Sequence, residues 1–224
     1  MVGAAGIPTS GLWTEAALPF AAAAIAHGAG AGMQHPFMKG VAEEWAAGGI
    51  SVLRFNFPYM EARRRIPDAA PMLLATWKAA LQELSRLARG LPIAAGGKSL
   101  GGRMASLLAA EQPEEFPAVA LVFFGYPLHA PGNTDRLRDA HLPRVRVPML
   151  FIQGTRDALA RLDLLEPVVQ RLHPLARLHL VPDGDHSFHL RGTKRADRET
   201  GQAVGRIALD YLREIVGGAA PRHG

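Results

Sequence analysis

Ser99, Asp157 and His186 are the residues whose types and spacing could do chemistry in this sequence. Ser99 sits in the glycine-rich stretch AAGGKSLGGRMAS, Ala94 to Ser106. Gly97-Lys98-Ser99-Leu100-Gly101 satisfies G-x-S-x-G, the pattern of a sharp strand-to-helix turn that presents a serine hydroxyl as a nucleophile. LPIAA precedes it as a buried strand and LGGRMASLLAAEQ follows as a helix. Larger side chains two residues either side of the serine would collide at such a turn, which accounts for glycine at 97 and 101. Lys98 then reads as an ordinary turn residue, its side chain directed away from the chemistry. The same stretch also resembles the end of a phosphate loop, with Lys98 for a phosphate and Ser99 for magnesium. That signature requires a first glycine at position 92. Position 92 is proline, and the intervening residues read as strand, so no nucleotide is expected.

A serine hydroxyl is a weak nucleophile without a base, and the base needs an orienting carboxylate. Where the serine lies on a strand-to-helix turn, the order along the chain is serine, acid, histidine. Asp157 follows the strand pattern VPMLFIQG in the run Thr155-Arg156-Asp157, and His186 lies in Asp183-Gly184-Asp185-His186-Ser187-Phe188 after ARLHLVP. Competing roles are a helix N-cap for Asp157, with Asp163 as substitute acid, and a surface turn for His186, with His179 and His189 nearby. The cluster Asp183, Asp185, His186 and His189 also offers oxygen and nitrogen ligands, but no second ligand pair accompanies it, so no metal is expected. A reacting carbonyl also needs donors for its oxyanion. HGAGAGM, His27 to Met33, supplies a glycine-rich turn after the first strong strand. The expected donors are the N–H groups of Leu100 and Ala29, with Gly30 as the alternative to Ala29.

Apolar runs of strand length alternate with amphipathic helical segments along the chain. The strands are read at FAAAAIAHG, Ile50 to Phe57, Leu91 to Gly97, Ala118 to Gly125, Val147 to Gly154 and Ala176 to Pro182. Helices are read at Phe37 to Ala47, Met72 to Arg89, Leu100 to Glu111, Asp163 to Leu172 and Glu199 to Val216. Several strands are apolar on both faces, as strands covered on both sides must be. This alternation predicts a three-layer αβα sandwich on a mainly parallel sheet of about six or seven strands. Ligands in such sheets bind beyond the carboxyl ends of the strands, where Ser99, Asp157, His186 and His27 to Met33 fall. Residues 1–15 are weakly patterned, with room for a short edge strand.

The 224 residues show no internal repeat or long linker, which predicts one domain over residues 1–224. There is no cysteine, so neither a disulfide framework nor a catalytic thiol is available. Ala16 to Ala26 is too short to span a bilayer. It also lacks the preceding basic residues of a signal peptide, so a cytoplasmic protein without a membrane partner is expected. The formal charge of +5 and pI of about 10.1 raise nucleic acid as a partner. The basic residues are spread along the chain, however, and only Arg63-Arg64-Arg65 forms a tight run, read as a solvated loop. Nucleic-acid binding is not expected. Heavy use of alanine, and of arginine over lysine, fits a GC-rich bacterial genome.

Taken together, HGAGAGMQHPFM, RFNFPYM, GGKSLGGRMAS, FFGYPLH, FIQGTRDAL and GDHSF resemble the small α/β-hydrolases related to dienelactone hydrolase. The resemblance covers roughly Ala21 to the final helix. It implies a Ser99/Asp157/His186 triad, no cofactor, and hydrolysis of an ester-type bond in a small acyl substrate. Dienelactone hydrolases proper carry cysteine as nucleophile, so lactone specificity does not carry over. Relatives include a subunit of a chromatin-modifying complex, which keeps a catalytically silent scaffold open as the alternative. Residues 126–146 are too few for a large cap, so an open, shallow site is expected. Met33, His35, Phe57, Tyr59, Tyr126 and His129 are its candidate lining, with core packing as the competing role. Arg63 to Arg65 could meet an anionic substrate. Oligomeric state is not indicated.

Overall fold

The computed structural model describes residues 2–4 and 7–219. Residues 1, 5, 6 and 220–224 of the expected 1–224 span lie outside the described residues. Strands β1 (Val2–Ala4) and β2 (Ile7–Thr9) form a small antiparallel pair. A seven-stranded sheet makes the middle layer of the molecule. Its members are β3 (Gly11–Thr14), β4 (Ala21–Ala26), β5 (Ile50–Phe55), β6 (Ile93–Lys98), β7 (Leu121–Phe124), β8 (Met149–Gly154) and β9 (Ala176–Val181). They lie in the order β3-β5-β4-β6-β7-β8-β9, and only β3 pairs antiparallel. The edge strand β3 falls in the stretch where the sequence pattern is weakest.

Alternation along the strands divides the core between two faces. In β4 the residues Ala22, Ala24 and Ala26 pack with Trp77, Leu81 and Met104, while Ala21, Ala23 and Ile25 pack with Phe37, Val41 and Trp45. The first face is covered by α3 (Ala70–Ala88), α4 (Leu100–Glu111) and α5 (Leu162–Arg171). The second is covered by α1 (Pro36–Ala47) and α6 (Asp197–Ala219). A four-residue helix α2 (Pro58–Glu61) follows β5. The result is the expected αβα sandwich, and residues 126–146 contain only a short 3-10 turn rather than a cap. No helix among the described residues is long and apolar enough to cross a membrane.

α1 begins where Pro36 takes the first helical position and the His35 ring accepts from the Phe37 N–H at 3.3 Å. Its buried residues Phe37, Met38, Val41, Ala42 and Trp45 recur at helical spacing along one face. α1 and α6 approach through glycine. A Cβ on Gly40 would lie 2.0 Å from the Arg198 carbonyl oxygen, and one on Gly201 would lie 2.2 Å from that of Phe37. Both contacts are with backbone, which no rotamer change relieves. In an exposed helix, glycine to alanine gains roughly 1 kcal/mol. Gly201→Ala should instead destabilise the fold by about 2 kcal/mol, since overpacking of this kind costs ~1–3 kcal/mol. Gly217→Ala, in the same helix with open space around it, should be neutral or slightly stabilising. Urea unfolding of the two variants checks the contrast.

Candidate active site

The carboxyl ends of four parallel strands supply the site. The β4 end leads into His27–Gly32, β6 into Ser99, β8 into Asp157, and β9 into the loop bearing His186. Register puts Ala26 opposite Gly97, so the loop after β4 and the serine turn lie side by side.

Ser99 has φ 48° and ψ −114°, a backbone state that costs a non-glycine residue of order 1–3 kcal/mol. The turn is held by the Ser99 N–H donating to the Phe124 carbonyl at 3.1 Å and by α4 starting at the next residue. Both flanking glycines touch the β4 end. A Cβ at Gly97 or at Gly101 would lie 2.3 Å or 2.4 Å from the Ala26 carbonyl oxygen. Gly101 also offers its carbonyl to Trp77 Nε1 at 3.0 Å, tying the turn to α3.

Ser99, His186 and Asp157 form one hydrogen-bonded chain. His186 Nε2 is 2.9 Å from Ser99 Oγ, and His186 Nδ1 is 2.7 Å from Asp157 Oδ2. Asp157 has a fully buried side chain, whereas His186 is partly exposed. The Asp157 carboxylate also accepts from the Leu159 N–H at 2.7 Å and from Gln153 Nε2. Gln153 is oriented in turn by accepting from the Tyr126 N–H at 2.9 Å. A carboxylate at Nδ1 requires the Nδ1–H form of the imidazole, which leaves Nε2 bare to accept the serine proton. The helix-cap role for Asp157 is not what the structure shows, because α5 begins at Leu162 and Asp163 lies exposed against Arg161.

The loop after β4 is pinned by a residue whose part the sequence did not reveal. His27 Nδ1 donates to the Gly28 carbonyl at 2.8 Å, and His27 Nε2 accepts from the Phe57 N–H at 3.1 Å. Together these bonds require the neutral ring. Burial pushes the His27 pKa down to about 4, so the ring stays neutral at ordinary pH. The Leu100 N–H stands at the first position of α4, where no intrahelical acceptor exists. Ala29 and Gly30 border the same cavity as Ser99.

Lys98 departs from expectation. Its side chain does not point away: Nζ donates to the His186 carbonyl at 2.5 Å and lies 5.6 Å from the centre of the Phe188 ring. Burial lowers its pKa to about 8, against the opposing pull of Asp157 and Asp185. The lysine next to the serine therefore ties β6 to the histidine loop.

The cavity has a volume of about 490 Å³. Ala29, Phe37, Met38 and Leu159 form its apolar lining, and His35, His189 and Asp197 are on its polar side. Asp197 accepts from His189 at 2.6 Å and lies 3.7 Å from His35. Of the expected lining, His35 alone borders the cavity with Ser99. Met33, Phe57, Tyr59, Tyr126 and His129 are core residues. Phe57 and Tyr59 stack beside His27, and Tyr126 donates its hydroxyl to the Arg138 carbonyl at 2.7 Å. His129 accepts from the Arg161 N–H at 3.3 Å. Aromatic size made these residues attractive as pocket walls, and the same size drew them into the core. Arg63 to Arg65 are exposed and do not border the cavity, and Arg64 pairs with Asp68. Among the described residues no group of three or more His, Cys, Asp or Glu side chains is arranged to hold a metal ion.

A second serine–histidine contact exists away from this cavity. Ser106 Oγ lies 2.8 Å from His141 Nε2, but that hydroxyl donates to the Arg103 carbonyl inside α4, and no carboxylate among the described residues bonds to His141.

A dienelactone hydrolase from Anabaena variabilis superposes with a TM-score of 0.76 at 23% identity, covering 95% of this chain and 94% of its own. Est1E from Butyrivibrio proteoclasticus, with ferulic acid bound, superposes at 0.75 with 13% identity, covering 96% and 98%. A serine hydrolase without a lid from Xanthomonas campestris superposes at 0.67 with 18% identity, covering 96% and 97%. At such identities these likenesses speak for the fold. The family model for the alpha/beta hydrolase domain matches residues 20–215, nearly the whole chain, and the protein belongs to that family of hydrolases.

Proposed function

We propose that this protein is a serine hydrolase that transfers the acyl group of a small ester or thioester to water. The observation that carries the reading is the unbroken chain Asp157–His186–Ser99, which ends at a cavity bordered by the loop after β4. His186 Nε2 takes the proton of Ser99 Oγ as the oxygen attacks the acyl carbonyl. Asp157 holds the imidazole in the required tautomer and stabilises the imidazolium that forms. The N–H groups of Leu100 and Ala29, with Gly30 as the alternative to Ala29, receive the oxyanion. His186 returns the proton to the leaving oxygen or sulfur. It then activates water, which attacks the acyl-serine and releases the acid. The cavity of about 490 Å³ suits a small or extended acyl chain, and its apolar lining suits a carbon chain better than a charged one.

Lys98 belongs to this arrangement as a positioning residue. It borders the cavity beside Ser99, and its ammonium group fixes the carbonyl of the residue that acts as base.

Ser99→Ala should lower kcat on an activated ester by about 10⁶. A fluorophosphonate probe should label Ser99 in the wild type and not in the variant. Absence of labelling in the folded wild type would favour the catalytically silent scaffold. A second expectation concerns Lys98. Between pH 8 and 10.5 the unfolded chain holds a proton on this lysine that the folded chain has released, so stability from this group rises with pH across that window. The rise should reach on the order of 3 kcal/mol and be absent in Lys98→Met. Urea unfolding at several pH values, wild type against variant, reads it directly.

A further inference from the structure

The basic residues of this protein are not evenly neutralised. Many pair with acids: Arg86 with Glu83, Arg198 with Glu43 and Arg206 with Glu44 on the helices, and Arg177 of β9 with Glu214. One cluster is different. Arg103 on α4 and Arg136, Arg138 and Arg144 from the segment after β7 border one cavity of about 520 Å³, together with His141 and Asn133. None of these four arginines forms a salt bridge among the described residues, and no carboxylate borders the cavity. The nearby Asp139 is engaged with Arg171 at 3.0 Å.

Within the cluster, positive groups oppose one another at Arg103 and at His141. Burial lowers the Arg103 pKa, and Arg138 lowers it further. Burial, then Arg103 and Arg144, push His141 down to about 4. Arg103 Nε is closed off from solvent and has no hydrogen-bond partner, while Arg144 Nε makes only a long contact of 3.4 Å with the Ala110 carbonyl. Unpaired like charges held around one hollow are an arrangement that a bound anion would complete.

We infer that this cavity is a binding site for a small molecule bearing a diphosphate or triphosphate group, separate from the cavity of Ser99. The two linings share no residue. Guanidinium forks match phosphate oxygens in pairs. A terminal phosphate carries about −1.5 to −2 at neutral pH and each bridging phosphate adds about −1, so a diphosphate offsets most of the charge of four guanidinium groups and a triphosphate nearly all of it. Carboxylates carry one charge each, and four would have to converge. The volume suits a ligand of nucleotide size. A single-stranded nucleic acid is disfavoured, because no Phe, Tyr or Trp side chain borders the cavity to stack successive bases. Arg103 lies one turn beyond Ser99 on α4, so the ligand would rest on the helix that carries the nucleophile turn.

The test uses inorganic pyrophosphate, read by titration calorimetry and by thermal unfolding of the full chain at fixed ionic strength. Wild type should bind one equivalent and gain about 2–4 °C in Tm at saturating pyrophosphate, with sulfate and citrate giving much less. Arg103→Gln combined with Arg138→Gln should weaken binding by at least about tenfold and unfold at an equal or higher temperature without ligand, since like-charge repulsion is relieved. Arg136→Gln, at an exposed position, repeats the binding test should the double variant fail to fold. Arg89→Gln, exposed and outside the cavity, should bind as wild type. Equal response to sulfate or citrate, unchanged binding in the arginine variants, or tighter binding of an oligonucleotide at the same residues would overturn the inference. The readout is binding, so it stands or fails independently of the hydrolase activity.

Discussion

The buried carboxylate of Asp157 is the constraint around which the site is organised. A carboxylate sealed from water must have its lone pairs met by donors, since an unpaired one costs several kcal/mol. Here the donors come from three places: the Leu159 N–H in its own loop, Gln153 at the end of β8, and His186 from the loop after β9. Satisfying Asp157 therefore fixes the histidine loop against β8. The choice of proton on His186 follows from the same bond, and the choice of acceptor for Ser99 follows from that. One buried charge thus sets the direction of a chain that crosses three strands. Lys98 closes the circuit, joining the strand that carries Ser99 to the carbonyl of His186.

The serine turn imposes a second demand, and it reaches into the core. Ser99 holds a strained backbone state only because its surroundings leave no alternative. Gly97 and Gly101 let β6 and α4 close on the Ala26 carbonyl, and the run of alanines in β4 keeps that central strand narrow on both faces. Larger residues in β4 would push the covering helices outward and open the gap that the turn needs closed. The large side chains lie further out, in Trp45 and Phe37 on one face and Trp77 and Phe55 on the other. Small residues at the centre and aromatic residues around it are two parts of one packing solution.

Much of this was legible in the sequence. Six of the sheet's strands and five of its helices announced themselves through apolar runs and helical periodicity. The loops bearing Ser99, Asp157 and His186 followed from their places after strand patterns. These signals are local, and local signals survive in a linear reading. What could not be read depends on where side chains go in three dimensions. Gln153 looks like any polar residue at a strand end until Tyr126 and Asp157 are placed either side of it. Lys98 was assigned outward because turns usually expose lysine, yet the His186 carbonyl arrives from 88 residues away to receive it. Phe57, Tyr59 and Tyr126 follow strands, as pocket residues do, but their bulk was claimed by the core. The arginines around the second cavity are dispersed from position 103 to 144, so no run of charge marked them.

The two serine–histidine contacts show why a pair of residue types is not in itself a reactive unit. Ser106 is interior to α4, its hydroxyl spent on the Arg103 carbonyl, so His141 must be the donor between them. A histidine that donates its proton to a serine cannot also accept one from it. Burial, and then Arg103 and Arg144, oppose the imidazolium that a general base must become at His141, and outweigh the opposite pull of Asp139. At Ser99 every one of these conditions is reversed. The hydroxyl stands at a turn rather than within a helix, the imidazole presents its bare nitrogen, and a buried carboxylate lies behind it. The same two side chains, at nearly the same separation, are hydrogen-bonded in opposite senses, and what differs is the third group.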